Sequence, residues 1–300
     1  MKTAHLFTPD YIMQQAAPHW ICACSGCHGE KPLHEIRWQN EQRRSWDLRC
    51  DSAAAAILCD AHAFDMHIET TEPLPLASCC PRLYALNQQV YRTLLNSARP
   101  LNETLYAIGL LISRGQRLQT AEAICALGDE LQSIMEAGAL SEAFDALPLI
   151  DTFALTAMRQ LGARRLEAKL DARTGMTLMM TLSELRLLED ARLLGLLSAQ
   201  RGDIKLDVWL ADHDTLWRNY LRWYVWHHVF PGSDENTWEA AFLQLCQSVF
   251  SVQFLVSQLL AAGCEVNTQT LVALLAGWHR EALPAVEAEN ALLVGLSLLK

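Results

Sequence analysis

AAFLQLCQSVFSVQFLVSQLLAAGC, residues 240–264, is the longest stretch of this sequence without a charged side chain, and its reading decides the fold. It is long enough to cross a bilayer, yet Gln244, Gln247, Gln253 and Gln258 interrupt it. Phe242, Leu245, Val249, Val252, Val256 and Leu259 recur at alternating steps of three and four, the spacing of a buried helical seam. A core helix, and no membrane span, is therefore expected. Before it, Pro231-Gly232 reads as a turn, and Asn236 with Glu239 as a capping box. After it, Asn267 or Thr268 is placed to cap a helix with Leu271, Leu274, Trp278 and Ala282 on one face, and Ala291 to Leu299 forms a last apolar segment.

The same period extends upstream. Leu83, Leu86, Val90 and Leu94 precede a break at Pro100, and Leu105, Ile108 and Leu111 continue the pattern towards Gly115. Further helices are expected over about 120–137, 151–170, 182–199 and 215–229. No alternating strand pattern of useful length stands out. The expected fold class is all-α: a multi-helical array over residues 81–300, without a fixed-period repeat, preceded by an irregular cysteine-rich segment over 1–80.

With 300 residues, 51% of them apolar, the chain can bury a sizeable core. Lys and Arg number 24 against 34 Asp and Glu, a net charge of -10, which argues against nucleic acid as a partner. No apolar segment of a secretory signal follows Met1-Lys2-Thr3-Ala4-His5, so a cytoplasmic protein with reduced thiols is expected.

Seven of the ten cysteines fall within the first 80 residues. Cys22-Ala23-Cys24-Ser25-Gly26-Cys27-His28 packs three thiols and an imidazole into seven residues, a density that soft-metal ligation explains and core packing does not. A fourth ligand is available from Cys50, Cys59, the Cys79-Cys80 pair or His28, for either a tetrahedral zinc or an iron–sulfur cluster. Adjacent cysteines rarely serve one ion together, so the metal-ligand candidates are Cys22, Cys24, Cys27, Cys50, Cys59 and Cys79. Cys125, Cys246 and Cys264 sit in helical segments and read as core residues.

The stretch from Trp217 to His228 is strongly aromatic, with Tyr220, Tyr224 and His228 on one helical face. It reads as packing between helices, with a pocket lining as the alternative. His227 and His228 point about 100° apart on a helix, which disfavours a shared ion. No glycine-rich phosphate loop, GxSxG or HExxH occurs, so a Rossmann-type nucleotide or S-adenosylmethionine site is not supported.

The order of features nevertheless resembles the flagellin lysine-N-methylase family. The resemblance is carried by Leu6-Phe7-Thr8-Pro9-Asp10-Tyr11-Ile12 leading into the cysteines, and by Trp46-Asp47-Leu48-Arg49-Cys50-Asp51-Ser52-Ala53-Ala54. It continues through Arg82 to Leu118 with Pro100-Leu101 and Ile108-Gly109-Leu110, and through Asn219-Tyr220-Leu221 followed by Phe230-Pro231. It implies methyl transfer from S-adenosylmethionine to flagellin lysines, flagellin or another flagellar or secreted protein as partner, and an iron–sulfur cluster on Cys22, Cys27 and Cys50, with Cys24 a displaced member. The chain departs from the family where His28-Gly29-Glu30 follows Cys27, in place of a second cysteine before Gly-Trp. A reading from a different class is a non-catalytic helical interaction module, flagellin- or secretion-related, with a structural zinc or no metal.

Overall fold

The computed structural model describes residues 3–15, 22–72, 80–282 and 288–300. Strand β1 (Ala4–Pro9) runs into helix α1 (Asp10–Gln15), after which β2 (Leu33–Trp38) and β3 (Glu41–Trp46) form a hairpin. Helix α2 (Asp51–Cys59) and strand β4 (Met66–Thr71) follow. The sheet order is β2-β3-β1-β4, with β1 parallel to β3 and antiparallel to β4.

This sheet corrects the expectation of a strand-free chain with an irregular N-terminal segment. Its strands escape the apolar alternation because β3 buries Glu41, Arg43 and Ser45, polar residues at the alternate inward positions. Each has a partner: Arg43 donates to Glu41 at 2.9 Å and to the Asn87 side-chain oxygen at 3.0 Å, while the Ser45 hydroxyl lies 2.9 Å from Nδ1 of His227. The Arg43 guanidinium is further sandwiched between the rings of Trp38 and Trp226, at 4.5 and 4.4 Å. In β4 the side chains of His67 to Thr70 are all exposed, which leaves no buried face to read.

The helical body opens with α3 (Pro81–Leu95), α4 (Leu101–Gly115), α5 (Ala121–Glu136) and α6 (Leu140–Asp145). It continues through α7 (Asp151–Ala163), α8 (Ala172–Leu187), α9 (Asp190–Arg201) and α10 (Ile204–Asp212). It closes with α11 (Asp214–His227), α12 (Trp238–Ala261), α13 (Thr268–Arg280) and α14 (Ala291–Leu298). Helices account for 64% of the described residues, so the protein is an α-helical array carrying a small sheet.

Helix α12 is the seam foreseen over 240–264, and it touches α4, α7, α8, α9, α10, α13 and α14. It is the one helix, among the described residues, long and apolar enough to cross a membrane, but 78% of that window is buried inside the protein. The apolar surface is spent on neighbouring helices. Upstream, the structure differs from the sequence reading in several places: the helix expected over 151–170 stops at Ala163, and α10 was not foreseen. The stretch over 182–199 is split between α8 and α9, which are separated at Leu188-Glu189, and the turn before α12 is capped by Asp234 rather than by an Asn236–Glu239 box. Asn267 does cap α13, in a reciprocal box with Thr270.

Sheet and body share one core. Tyr11, Trp46, Leu48, Ala53 and Ile57 pack in the same buried cluster as Trp217, Trp223 and Trp278. From α11, the Trp223 indole donates to the Trp46 carbonyl at 2.8 Å and the Trp226 indole to the Arg44 carbonyl at 2.9 Å, fastening the sheet to the helices. Helix α2 packs against α11 and α13. The loop from Asp47 to Cys50 is thereby held at the junction.

Candidate metal centre

Cys50 occupies the N-cap position of α2 and makes no side-chain capping bond, so its sulfur lies by the free amides and the positive end of the helix dipole. Opposite it, the chain from Cys22 to Glu30 folds into tight turns, with the His28 amide bonded to the Cys24 carbonyl at 3.0 Å and Glu30 to Cys27 at 2.8 Å. His28 and Gly29 both take left-handed backbone conformations, at φ 50° and 84°. Gly26 lies against the next segment: a Cβ there would sit 1.8 Å from the Arg49 carbonyl oxygen. Only glycine lets the two strands of backbone approach so closely.

These turns bring the Sγ atoms of Cys22, Cys24, Cys27 and Cys50 within 4.8 Å of one another, with Cys24 and Cys27 at 3.6 Å. Among the described residues this is the group whose ligand atoms converge on the reach of one ion. Cys27 and Cys50 are buried, Cys22 and Cys24 half-buried. Burial raises the Cys22 thiol, but the Ser52 hydroxyl donating at 3.3 Å, the Cys24 amide and the neighbouring thiols outweigh it and bring Cys22 down to about 6. Burial pushes Cys27 and Cys50 up. One sulfur is thus ready to be a thiolate while Cys27 and Cys50 hold their protons, which a bound cation would displace.

The donor set fits a metal. Bonds of about 2.3 Å from one tetrahedral zinc space its four sulfurs about 3.8 Å apart, which the 3.6 Å between Cys24 and Cys27 and the 4.8 Å limit on the others accommodate. An iron–sulfur cube puts each thiolate on its own iron and needs the sulfurs spread more widely than that.

Of the other candidates, Cys59 is exposed at the far end of α2, roughly 13 Å along the axis from Cys50. Cys79 lies outside the described residues; its neighbour Cys80 is exposed at the start of α3. His28 is exposed and stands outside the thiol group. Cys246 and Cys264 are buried among the helices, and Cys125 is half-buried.

Arg280, at the end of α13, walls the centre. It donates to the Arg49 carbonyl at 3.1 Å and also binds the Asp51 carboxylate and the Glu167 carbonyl. Between these groups and Cys22-Ala23-Cys24 lies a groove of about 630 Å³.

On the other side of the Asp47–Cys50 loop, histidines from three elements meet. His34 of β2 and His227 of α11 have ring centroids 5.1 Å apart, and His227 stacks on Trp223 at 4.8 Å. His279 of α13 stands edge-on to Trp223 at 4.9 Å, its Nε2 3.1 Å from the Tyr220 hydroxyl. His228 lies 4.5 Å from the Tyr224 ring. Burial lowers His227 to about 3 and His228 to about 4, with neighbouring imidazoles adding to the effect and Asp47 opposing it. Burial likewise holds His279 well below the ordinary histidine range. All three are uncharged at neutral pH. The sequence flagged His227 and His228 only; positions 34 and 279 are too distant in the chain for any spacing to have joined them. The aromatic residues between Trp217 and Trp226 are buried packing residues, as expected, and their His228 end is exposed.

Fold and site together define a helical protein with four converging thiols, a donor set able to hold a soft metal, where a small sheet meets the helices. The sequence profile of the FliB lysine N-methylase C-terminal domain matches residues 87–284. The chain belongs to that family. No curated protein and no solved structure matches it. The matched region takes in α11 and α13, with His227, His228 and His279, whereas the four thiols precede it.

Proposed function

We propose that the chain is a protein-lysine N-methyltransferase acting on flagellin with S-adenosylmethionine as methyl donor, and that its four N-terminal thiols hold a single metal ion. The profile match over residues 87–284 carries the first part. Transfer to a lysine requires the ammonium to lose a proton. The nitrogen lone pair then bonds to the methyl carbon as the carbon–sulfur bond breaks, and that electron pair stays on the donor sulfur. Such a reaction belongs in the cytoplasm, where flagellin is made and thiols stay reduced.

Cys22, Cys24, Cys27 and Cys50 would hold the ion, and their mutual spacing favours zinc over the iron–sulfur cluster that the family resemblance implied. A zinc ion there supplies a cross-link between the turn at 22–30 and the first turn of α2. The protein's own residues supply the remaining support, Arg280 bridging the Asp47–Cys50 loop to α13.

Incubating the metal-replete protein with purified flagellin and S-adenosylmethionine tests the activity, read as methyl mass increments on flagellin lysine peptides. Flagellin that is bound but never modified would replace this reading with that of an interaction module. Elemental analysis tests the metal: one zinc per colourless chain is expected, and stoichiometric iron with acid-labile sulfide overturns the single-ion assignment.

A further inference from the structure

A cavity of about 650 Å³ lies between the loop that joins α3 to α4, the C-terminal end of α9, α10, the start of α11 and the middle of α12. Small-molecule sites run from roughly 300 to 1,000 Å³. Its floor is buried and apolar, with Leu105, Trp217, Val249 and Phe250, while Asp207 and Ala211 stand exposed at its mouth. The Arg218 guanidinium, 5% exposed, donates to the Asp214 carboxylate at 2.5 Å, to the Asn96 carbonyl at 3.1 Å and to the Arg99 carbonyl. The loop over the cavity is thereby fastened to α11, and the space is preformed.

We propose that this cavity is the binding site of the methyl donor, S-adenosylmethionine, with the purine against the apolar floor, Asp207 accepting from the ribose hydroxyls and Arg201 receiving the carboxylate. The inference rests on the methyl-transfer reading and names where that reading's donor is held.

Three observations carry it. First, the charged groups at the cavity are unequally committed. Arg218 is paired with Asp214, but Arg201 holds Asp151 through a single nitrogen at 2.8 Å and keeps the rest of its fork, and the Asp207 carboxylate has no partner among the described residues. A carboxylate is a natural acceptor for ribose hydroxyls, and a guanidinium fork matches a carboxylate. Second, the Trp217 indole nitrogen and the Gln200 side-chain oxygen are buried in the wall without a hydrogen-bond partner. Orphaned polar atoms of this kind are rare in a folded chain. One is a donor and the other an acceptor, the complement of an adenine edge with its N7 and its N6 amine. Third, the groove beside the thiols, at about 630 Å³, is of similar size but offers no aromatic ring and no leucine to a purine. Its thiols also precede the region matched by the methylase profile, whereas the cavity's lining from Ser97 to Gln253 falls inside it.

The placement separates the donor from the thiols. The start of α11, which lines the cavity, meets the C-terminal end of α2, where Asn219 donates to the carbonyls of Leu58 and Asp60. Cys50 caps the opposite end of that nine-residue helix, roughly 13 Å away along its axis. An ion on the thiols therefore takes no part in holding the donor.

Binding is read by titration calorimetry of S-adenosylmethionine, and of its demethylated product S-adenosylhomocysteine, into the full-length, metal-replete protein as wild type, Ala211→Trp, Asp207→Asn and Lys169→Trp. Ala211→Trp, which puts an indole in the mouth, is expected to raise Kd at least tenfold and Asp207→Asn at least threefold, whereas Lys169→Trp, at the thiol groove, leaves it unchanged. As a measurement independent of variant folding, the wild type is photolabelled with methyl-tritiated S-adenosylmethionine, and the label is expected in peptides covering 97–105, 206–218 or 249–253. Wild-type affinity in Ala211→Trp or Asp207→Asn, label confined to 22–25 or 167–169, or no binding to the wild type overturns the proposal. Flagellin methylation by the same preparations keeps the two readings apart. A wild type that binds the donor in the cavity but methylates no flagellin keeps the site and loses the methylase reading; one that methylates flagellin with its label at the thiol groove does the reverse.

Discussion

Arg43 is the side chain through which the sheet accepts a charge in its interior. It is 1% exposed, with Glu41 at 4%, and the pair is completed by Asn87, whose amide in turn donates to the Phe230 carbonyl at 2.6 Å. A buried pair of this kind is worth little against an apolar replacement, but removing one partner strands the other charge. Glu41→Ala is therefore expected to lower unfolding free energy by about 3–5 kcal/mol in urea titrations; a change below about 1 kcal/mol would show that the tryptophan sandwich and Asn87 alone satisfy the guanidinium. The histidines make a second residue-scale prediction. His227 and His228 sit at about 3 and 4 in the folded protein against an ordinary 6.5. Below pH 6.5 the unfolded chain takes up protons that the folded one refuses, so their contribution is intact above that pH and is lost as pH falls towards 4. The urea midpoint should drop between pH 7 and pH 5, and His227→Asn should flatten that drop, separating it from acid loss of metal at the thiols. An equal slope in the variant would refute the assignment.

Among the elements, the turn at 22–30 and the first turn of α2 are built for each other. Gly26→Ala forces a methyl into the Arg49 carbonyl and must push the turn away from Cys50. The variant should bind less metal at equilibrium and melt several degrees lower, and full metal occupancy at the wild-type melting temperature would count against the close approach. Here too lies the line between what the sequence disclosed and what it hid. The seam of α12, a cap at Asn267 or Thr268 and the grouping of Cys22, Cys24 and Cys27 were legible because period, cap chemistry and thiol density are local signals, whereas Cys50 was one of several fourth ligands the sequence left open. Strands β2 and β3 were not, because their inward positions carry Glu41, Arg43 and Ser45, and polarity that is satisfied by distant partners looks like polarity exposed to water. His34 and His279 stayed hidden for a related reason: the fold brings them to His227, and nothing nearby in the chain announces it.

For the molecule as a whole, the important fact is that the core runs unbroken from Tyr11 and Trp46 to Trp278. Small zinc modules unfold when their ion is removed, because the metal replaces a core. This protein has the core as well, so chelation should leave the body folded. Hydrogen exchange after chelator treatment is expected to speed up at residues 22–32 and at the start of α2, with α12 unchanged. Global loss of protection would mean that the metal holds far more than its own turns.

Arg280 closes over a loop made long before it. Arg280 follows Arg49 by 231 positions of chain. At cellular synthesis speeds of about 5–20 residues per second, that gap lasts roughly 10–50 s. For that interval Cys22, Cys24, Cys27 and Cys50 have been made while Arg280 at the end of α13 has not. The nascent thiols are open to whatever ion or oxidant the ribosome's surroundings supply, so the identity of a metal held there would be partly a matter of timing: the first ion captured would be the one over which Arg280 finally shuts.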